Sequence, residues 1–312
     1  MLRKGAGLKK NRISVTYKES ISLTVLAIPG IVLLFIFNYL PMAGIIIAFK
    51  DYKPLKGIFG SDWCGLDNFK FFFTSQDAAR VIRNTLGYSI LFIVVGLFAS
   101  VGLALMFYSL RSAKALKFYN TLMILPKFLS VVIIAFLVYT LLNPSYGIVN
   151  SIILAFGGKK VQWYSEPGYW PVILLLVQVW RTVGMSSVIY YSALMGLDEG
   201  LLEAATLDGA GKLQQIIHVM IPHLIPTMVI STILNIGHMF SGDFGLFYQV
   251  PKDQGLLYPA TDIINTYTYR ALKAGSMAQS TAVGLFQSAA GFVMVILTNG
   301  IVRKISPENS LF

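Results

Sequence analysis

Glu203-Ala204-Ala205-Thr206-Leu207-Asp208-Gly209-Ala210-Gly211, followed at a fixed distance by Pro222, is a short polar and small-residue segment between two long apolar stretches. Asp198 and Glu199 precede it, and acidic residues suit a helix N-terminus, where they meet the positive end of the dipole. Leu201, Leu202, Ala204 and Ala205 propagate a helix, and Asp208-Gly209 can end it in a turn. These residues predict a short helix outside the bilayer, with a small flat face that a partner can approach closely. What lies on either side of that helix decides the fold.

Apolar residues make up 55% of the 312-residue chain and charged residues 12%, about half the charged share usual in soluble domains. Charge is absent from Ser20 to Phe49, Asn84 to Leu110, Leu213 to Gly242 and Ala274 to Val302. Each run exceeds the roughly 20 residues that cross about 30 Å of hydrocarbon as a helix. Phe118 to Leu142 and Trp170 to Leu197 carry one basic residue each, Lys127 and Arg181. Backbone groups in lipid must be satisfied within the segment, which favours helices. The expected fold is therefore all-α: a polytopic membrane protein with six transmembrane helices. The first covers 21–50, behind an arm at 1–20 and ahead of an external loop at 51–82. A core at 83–303 holds five more at about 84–110, 118–142, 170–197, 221–242 and 280–302, with a connector at 198–220 and a tail at 304–312.

The first span is too long for a cleaved signal peptide, contains Pro29 and Pro41, and lacks a small-residue cleavage site. Arg3, Lys4, Lys9, Lys10, Arg12 and Lys18 precede it against Glu19 alone. The Arg111 to Lys117 connector and the Arg303-Lys304 pair are basic too. With six spans these fall on one side, which the positive-inside rule makes cytoplasmic for both termini and for the 198–220 connector. The 50–83 loop is also basic but is offset by Asp51, Asp62, Asp67 and Asp77. The net charge of +11 needs no nucleic acid, because most of it lies beside anionic lipid. A single cysteine, Cys64, excludes an intrachain disulfide or a cysteine metal cluster.

The Glu-Ala-Ala triplet, three residues, Gly209, nine residues and then Val219-Met220-Ile221-Pro222 resemble the EAA loop of ABC importer permeases that work with binding proteins. Val219 and Ile221 depart from the usual Ile and Leu while keeping apolar character. Asn38-Tyr39-Leu40-Pro41, Ile47 to Lys53, Gly57 to Ser61, Ala260 to Arg270 and Thr281 to Gln287 are similar to the carbohydrate branch, which imports oligosaccharides or polysaccharide fragments. The resemblance implies a type I importer fold in a bacterial cell membrane, with 203–211 docking on a cytoplasmic ATPase. It also implies a second permease subunit, different in sequence; two ATPase subunits that bind ATP and Mg; an external solute-binding protein; and a saccharide substrate. This chain itself is expected to bind no cofactor or metal and to catalyse no reaction, since no phosphate loop occurs in it.

For coupling, the expected residues are Glu203, Ala204, Ala205, Asp208, Gly209 and Gly211, with Glu203 offering a carboxylate to a basic partner and Asp208 capping the turn. Sugar recognition calls for aromatic faces and planar polar groups. Gln178, Trp180, Arg181, Tyr190 and Tyr191 on the fourth helix fit, as do Asn235, His238 and Asp243 toward the outer end of the fifth. Arg181 either lines the pathway or pairs with a carboxylate, since a lone arginine is expensive in lipid. Lys127, nearer a helix end, is expected to snorkel to the interface. Asp243 to Ser280, with a surface helix at 262–272, is the expected platform for the binding protein. An ion-coupled secondary transporter would need intramembrane carboxylates, absent from the six spans. A membrane-embedded enzyme would need a catalytic cluster, and none is visible.

Overall fold

The computed structural model describes residues 17–305 and 307, with side chains from 24 to 304 and at 307; the basic arm from Arg3 to Arg12 lies outside them. Helix α1 (Tyr17–Leu34) runs on through a π turn (Phe35–Tyr39) into a 3-10 segment (Leu40–Phe49). Pro29 sits inside α1 and Pro41 opens the 3-10 segment. A two-stranded antiparallel pairing, β1 (Lys50–Asp51) with β2 (Asp62–Trp63), closes the next loop. After α2 (Asp67–Thr74), the longest helix, α3 (Ala78–Tyr108), begins six residues before the expected position because the amphipathic turn carrying Arg80 and Arg83 is also helical.

The third span departs from expectation. It is a bent pair, α4 (Ala113–Phe128) and α5 (Val131–Leu142), turning through 98° at Leu129-Ser130. Pro126 lacks the N–H that would continue the ladder, and Ser130 restarts a helix by accepting a hydrogen bond from the Val132 N–H at 3.4 Å. Among the described residues five other helices are long and apolar enough to cross a membrane, and the bent pair, counted as one span, makes six.

Helix α6 (Ile148–Ala155) follows α5. Helix α7 (Trp170–Leu194) then crosses the core, and α8 (Glu199–Leu207) lies beyond its far end. A turn at Lys212–Gln215 and a π turn at Ile216–Met220 lead into α9 (Ile221–Gly237). This span thus starts earlier than expected, at Lys212, and stops five residues sooner. Short α10 (Phe244–Gln249) and α11 (Ile264–Lys273) precede α12 (Met277–Ile305). Helix α11 is the predicted surface helix, although Ile264 and Thr266 on it are buried.

Packing follows from small residues. A Cβ on Gly184 would lie 1.8 Å from the Met123 carbonyl oxygen, so α4 and α7 touch backbone to backbone there. Gly291 on α12 meets the Gly237 carbonyl of α9 in the same way, at 2.7 Å. In lipid, where apolar surface gives no net drive between helices, such close approach is how they associate. One core around Trp170, Leu174, Ile134 and Leu246 fills the half away from α8, and a second around Val101, Ala104, Leu194 and Leu224 fills the half nearer α8. Outside these, α1 with its π turn and α12 present exposed Leu26, Phe37, Phe292 and Leu297, as lipid-facing helices must.

Candidate functional site

A cavity of about 290 Å³ opens between α3, α4, α7 and α9. Gln178, Tyr190 and Asn235, three of the expected pathway residues, line it together with Ser100, Thr182, Ser186 and Thr232. Phe92 on α3 adds an aromatic face. Three polar side chains from α7 reach it because 178, 182 and 186 recur at four-residue spacing on one helical face. Lys127 lines it too. The lysine expected to snorkel thus stands at the cavity, just before the 98° bend.

The remaining pathway candidates part company. Trp180 lines a different, apolar groove with Leu103, Met123, Leu125 and Val183, on the outer side of α4. Tyr191 packs edge-on against Phe107. His238 is exposed at the α9 terminus, its Nδ1 3.0 Å from the Leu234 carbonyl of its own helix. Arg181 resolves into the structural alternative: buried at 8% exposure, it forms an ion pair with Asp243 and donates to Gln178 Oε1 at 3.1 Å. Asp243 has a second duty, accepting from the Leu246 N–H at 3.0 Å as the N-cap of α10. A guanidinium only donates, so the Gln178 amide oxygen faces Arg181 and its NH2 remains free to donate.

On the opposite end, α8 forms as its residues require. Asp198 Oδ1 caps it by accepting from the Gly200 N–H at 2.9 Å. Gly209 takes φ +80°, and Gly209 and Ala210 N–H groups close on Thr206 and Ala205 carbonyls at 3.0 and 2.9 Å. That is a helix C-terminus built on a left-handed residue. Asp208 occupies the position before the turn, where its N–H meets the Ala204 carbonyl at 2.9 Å; it caps through its backbone. Gly211, with φ −69°, has an ordinary conformation and room for a Cβ, so its smallness serves no backbone need. Gln215 Nε2 donates to Thr206 Oγ1 at 2.9 Å and Ala210 O at 3.3 Å, fastening α8 to the start of the next span.

The outer surface of this end is unpartnered. Glu203 is exposed and has no ion pair among the described residues. Leu207 is 89% exposed and Leu213 69%, beside a cleft of about 250 Å³ between Ala205, Gly209, Gln214 and His218. Apolar side chains next to a carboxylate and an open cleft have the chemistry of a protein contact.

At the other end a buried charge network, missed in the sequence, fixes the segment after α9. Asp262 is 0% exposed in its side chain and meets Arg270 at 2.6 Å and Arg80 at 3.1 Å. Asn84 Nδ2 donates to the Asp262 and Pro259 carbonyls at 3.0 and 3.2 Å, and Tyr88 OH to Ala260 at 2.7 Å. Burial opposes charge on Arg270, but its hydrogen bond and attraction to Asp262 prevail and hold its pKa above the ordinary value. Arg270 also lies 4.1 Å over the Tyr258 ring. The acid and its bases are 182 and 8 residues apart, so only Asp262-Arg270, within one local stretch, left a signal in the sequence.

With this geometry in place, comparison with known proteins is informative. The profile described as "Binding-protein-dependent transport system inner membrane component" matches residues 93–307. The polygalacturonan/rhamnogalacturonan transport system permease protein YteP of Bacillus subtilis (strain 168) is 35% identical over 306 residues, covering 96% of this chain and 93% of YteP. Protein LplB of the same organism is 32% identical over 287 residues, 92% of this chain and 90% of LplB. Among solved structures, a bacterial ABC transporter involved in the import of the acidic polysaccharide alginate superposes with TM-score 0.84 at 32% identity, covering 93% of this chain and 97% of that one. A second structure holds the bacterial alginate ABC transporter in complex with alginate pentasaccharide-bound periplasmic protein, with TM-score 0.84 and 31% identity, covering 95% of this chain and 98% of that one.

Proposed function

The chain belongs to the family of binding-protein-dependent transport system inner membrane components, and from that premise we propose that it carries saccharides, as oligosaccharides or polysaccharide fragments, through an ATP-driven importer. It is a multi-pass membrane permease and a non-catalytic subunit. The observation that supports the saccharide reading is the cavity: Gln178, Ser186 and Asn235 offer planar and hydroxyl partners, and Phe92 and Tyr190 offer ring faces. Sugars need both kinds of surface at once.

In the assembled importer, α8 docks into a cytoplasmic ATPase subunit, with Leu207 and Ala205 filling its cleft and Glu203 meeting a base. ATP and Mg bind to two such subunits. Both termini are cytoplasmic. A second permease, different in sequence, packs against this one, and the 243–280 segment receives an external binding protein loaded with sugar. Relatives support that assembly: the solved neighbour is in complex with a saccharide-bound periplasmic protein.

The test is Gly209→Val in the tagged complex purified from the native membrane. At φ +80° a β-branched residue is strained by more than the roughly 1–2 kcal/mol of an ordinary side chain, although the space around it is open. Expected is an inserted protein that loses both its ATPase subunit on purification and saccharide uptake. Gly209→Asn, whose side chain tolerates the left-handed region, should keep most of both. Normal uptake by Gly209→Val overturns the docking role.

A further inference from the structure

We propose that the cavity selects saccharides bearing carboxylates, as uronic acids do, and that Lys127 is the residue that makes it selective; this rests on the saccharide permease reading above. Two cations stand at or beside the cavity, Lys127 on its lining and Arg181 bonded to the lining Gln178, and they differ in one respect. The Arg181 charge is met by Asp243. Lys127 is exposed and has no carboxylate within ion-pair reach among the described residues.

An uncompensated ammonium within a membrane-spanning bundle is expensive unless it meets water or an anion. Its place in the last turn of α4 recovers a part of that expense, because the negative end of the helix dipole favours a cation. The same geometry aims the charge at a cavity. No Asp or Glu is among the cavity's lining residues, whereas Gln178, Ser186, Asn235 and Tyr190 can all donate hydrogen bonds. Arg181 holds the Gln178 oxygen away at 3.1 Å, which leaves another donor for the same ligand. A positive, donor-rich, acid-free cavity is complementary to carboxylate oxygens, and a neutral sugar gains only a hydrogen bond from the ammonium, without the ion pair.

Cys64 is the only cysteine in the sequence and accepts from Asn68 Nδ2 at 3.3 Å, a contact that serine can keep. This permits a charge-rescue experiment in a Cys64→Ser background. The complex from the native membrane, carrying Lys127→Cys, is reconstituted in vesicles and given a short galacturonate oligosaccharide or its methyl ester. The expected result is an acid-to-ester uptake ratio about tenfold below that of the Cys64→Ser parent, the equivalent of about 1.4 kcal/mol. Treatment with an aminoethyl methanethiosulfonate, which restores a cation, should recover the ratio, and a sulfonatoethyl reagent should not. Recovery can occur only in folded protein. Lys127→Arg, which keeps the charge, should stay within about twofold of the parent.

An unchanged ratio in Lys127→Cys overturns the proposal. So does a thiol that resists both charged reagents yet reacts with a membrane-permeant maleimide, since that lysine would face lipid. Failure of the parent complex to move either saccharide, with ATPase subunits attached, overturns the saccharide reading on which the proposal rests, a result distinct from the other two.

Discussion

Asp243→Asn isolates a single charge. Arg181 keeps 9% of its side-chain surface and Asp243 30%, so the pair lies at the border of a dry core. Removing one partner of a fully buried pair costs about 3–5 kcal/mol, because the other charge is left stranded. Water reaches Asp243, which lowers the expected loss to about 2–3 kcal/mol. Asparagine is as good an N-cap as aspartate, so the Leu246 bond at 3.0 Å survives, and the loss reports the charge alone. Asp243→Ala gives up the cap too and should fall about 1 kcal/mol further.

Thermal unfolding of the detergent-purified complex reads these differences. Arg181→Gln with Asp243→Asn removes both charges and should recover most of the stability, with a coupling of about 2 kcal/mol in the double-mutant cycle. Saccharide uptake by the double variant adds a second, independent readout. If Arg181 acts only by holding α7 to the chain after α9, uptake returns with stability. Strict additivity of the two single losses, or Asp243→Asn melting with the wild type, refutes the latch.

Gly184→Ala places a Cβ 1.8 Å from the Met123 carbonyl oxygen and 2.3 Å from its carbon; backbone cannot yield as a side chain can, so destabilisation at or above the usual 1–3 kcal/mol of overpacking, about 3 kcal/mol, is expected. Gly102→Ala, with open space around it, is the control and should gain up to about 1 kcal/mol of helix propensity; equal melting of the two variants would dismiss the close contact. Asp262→Asn leaves Arg80 and Arg270 facing one another across a buried amide. The loss should be about 3 kcal/mol, the low end for buried pairs because both arginines are partly exposed. Limited proteolysis should find new cleavage within 243–280, and protection equal to wild type would contradict the network.

The sequence disclosed what depends on local chemistry. Charge-free runs announced the spans, and Asp198, Gly209 and the small residues between announced α8, because caps and left-handed turns act over a few residues. Tertiary geometry was another matter. Nothing in Phe128-Leu129-Ser130-Val131 contains glycine or proline, so a 98° bend beside Pro126 was invisible to hydropathy, and with it the cavity position of Lys127. Arg181 was legible as a charge needing a partner, yet Asp243 stands 62 residues away. Trp180 misled because side-chain type fixes what a residue can bind, while helical phase fixes which groove it enters.

One continuous path joins α8 to the cavity. Gln215 fastens α8 to a helical span that runs from Lys212 through the π turn to Gly237, 26 residues or about 39 Å at the α-helical rise. Thr232 and Asn235, near its far end, line the cavity, and six residues beyond its last turn Asp243 grips Arg181 on α7. A helix is stiff along its axis, so displacement of α8 along it reaches both the cavity wall and the attachments beyond its last turn. The grip is charged and partly wet, whereas the contacts of Gly237 with α12 are backbone-close. Ser89 and Gln287 also hold the chain just past the last turn, by hydrogen bonds to the Met239 and Phe240 carbonyls at 2.6 and 2.8 Å, but of these attachments the ion pair is the one that shares Gln178 with the cavity. Movement that loosened Arg181 from Asp243 would also release the Gln178 oxygen, changing the cavity from pure donor to mixed donor and acceptor as its wall shifts.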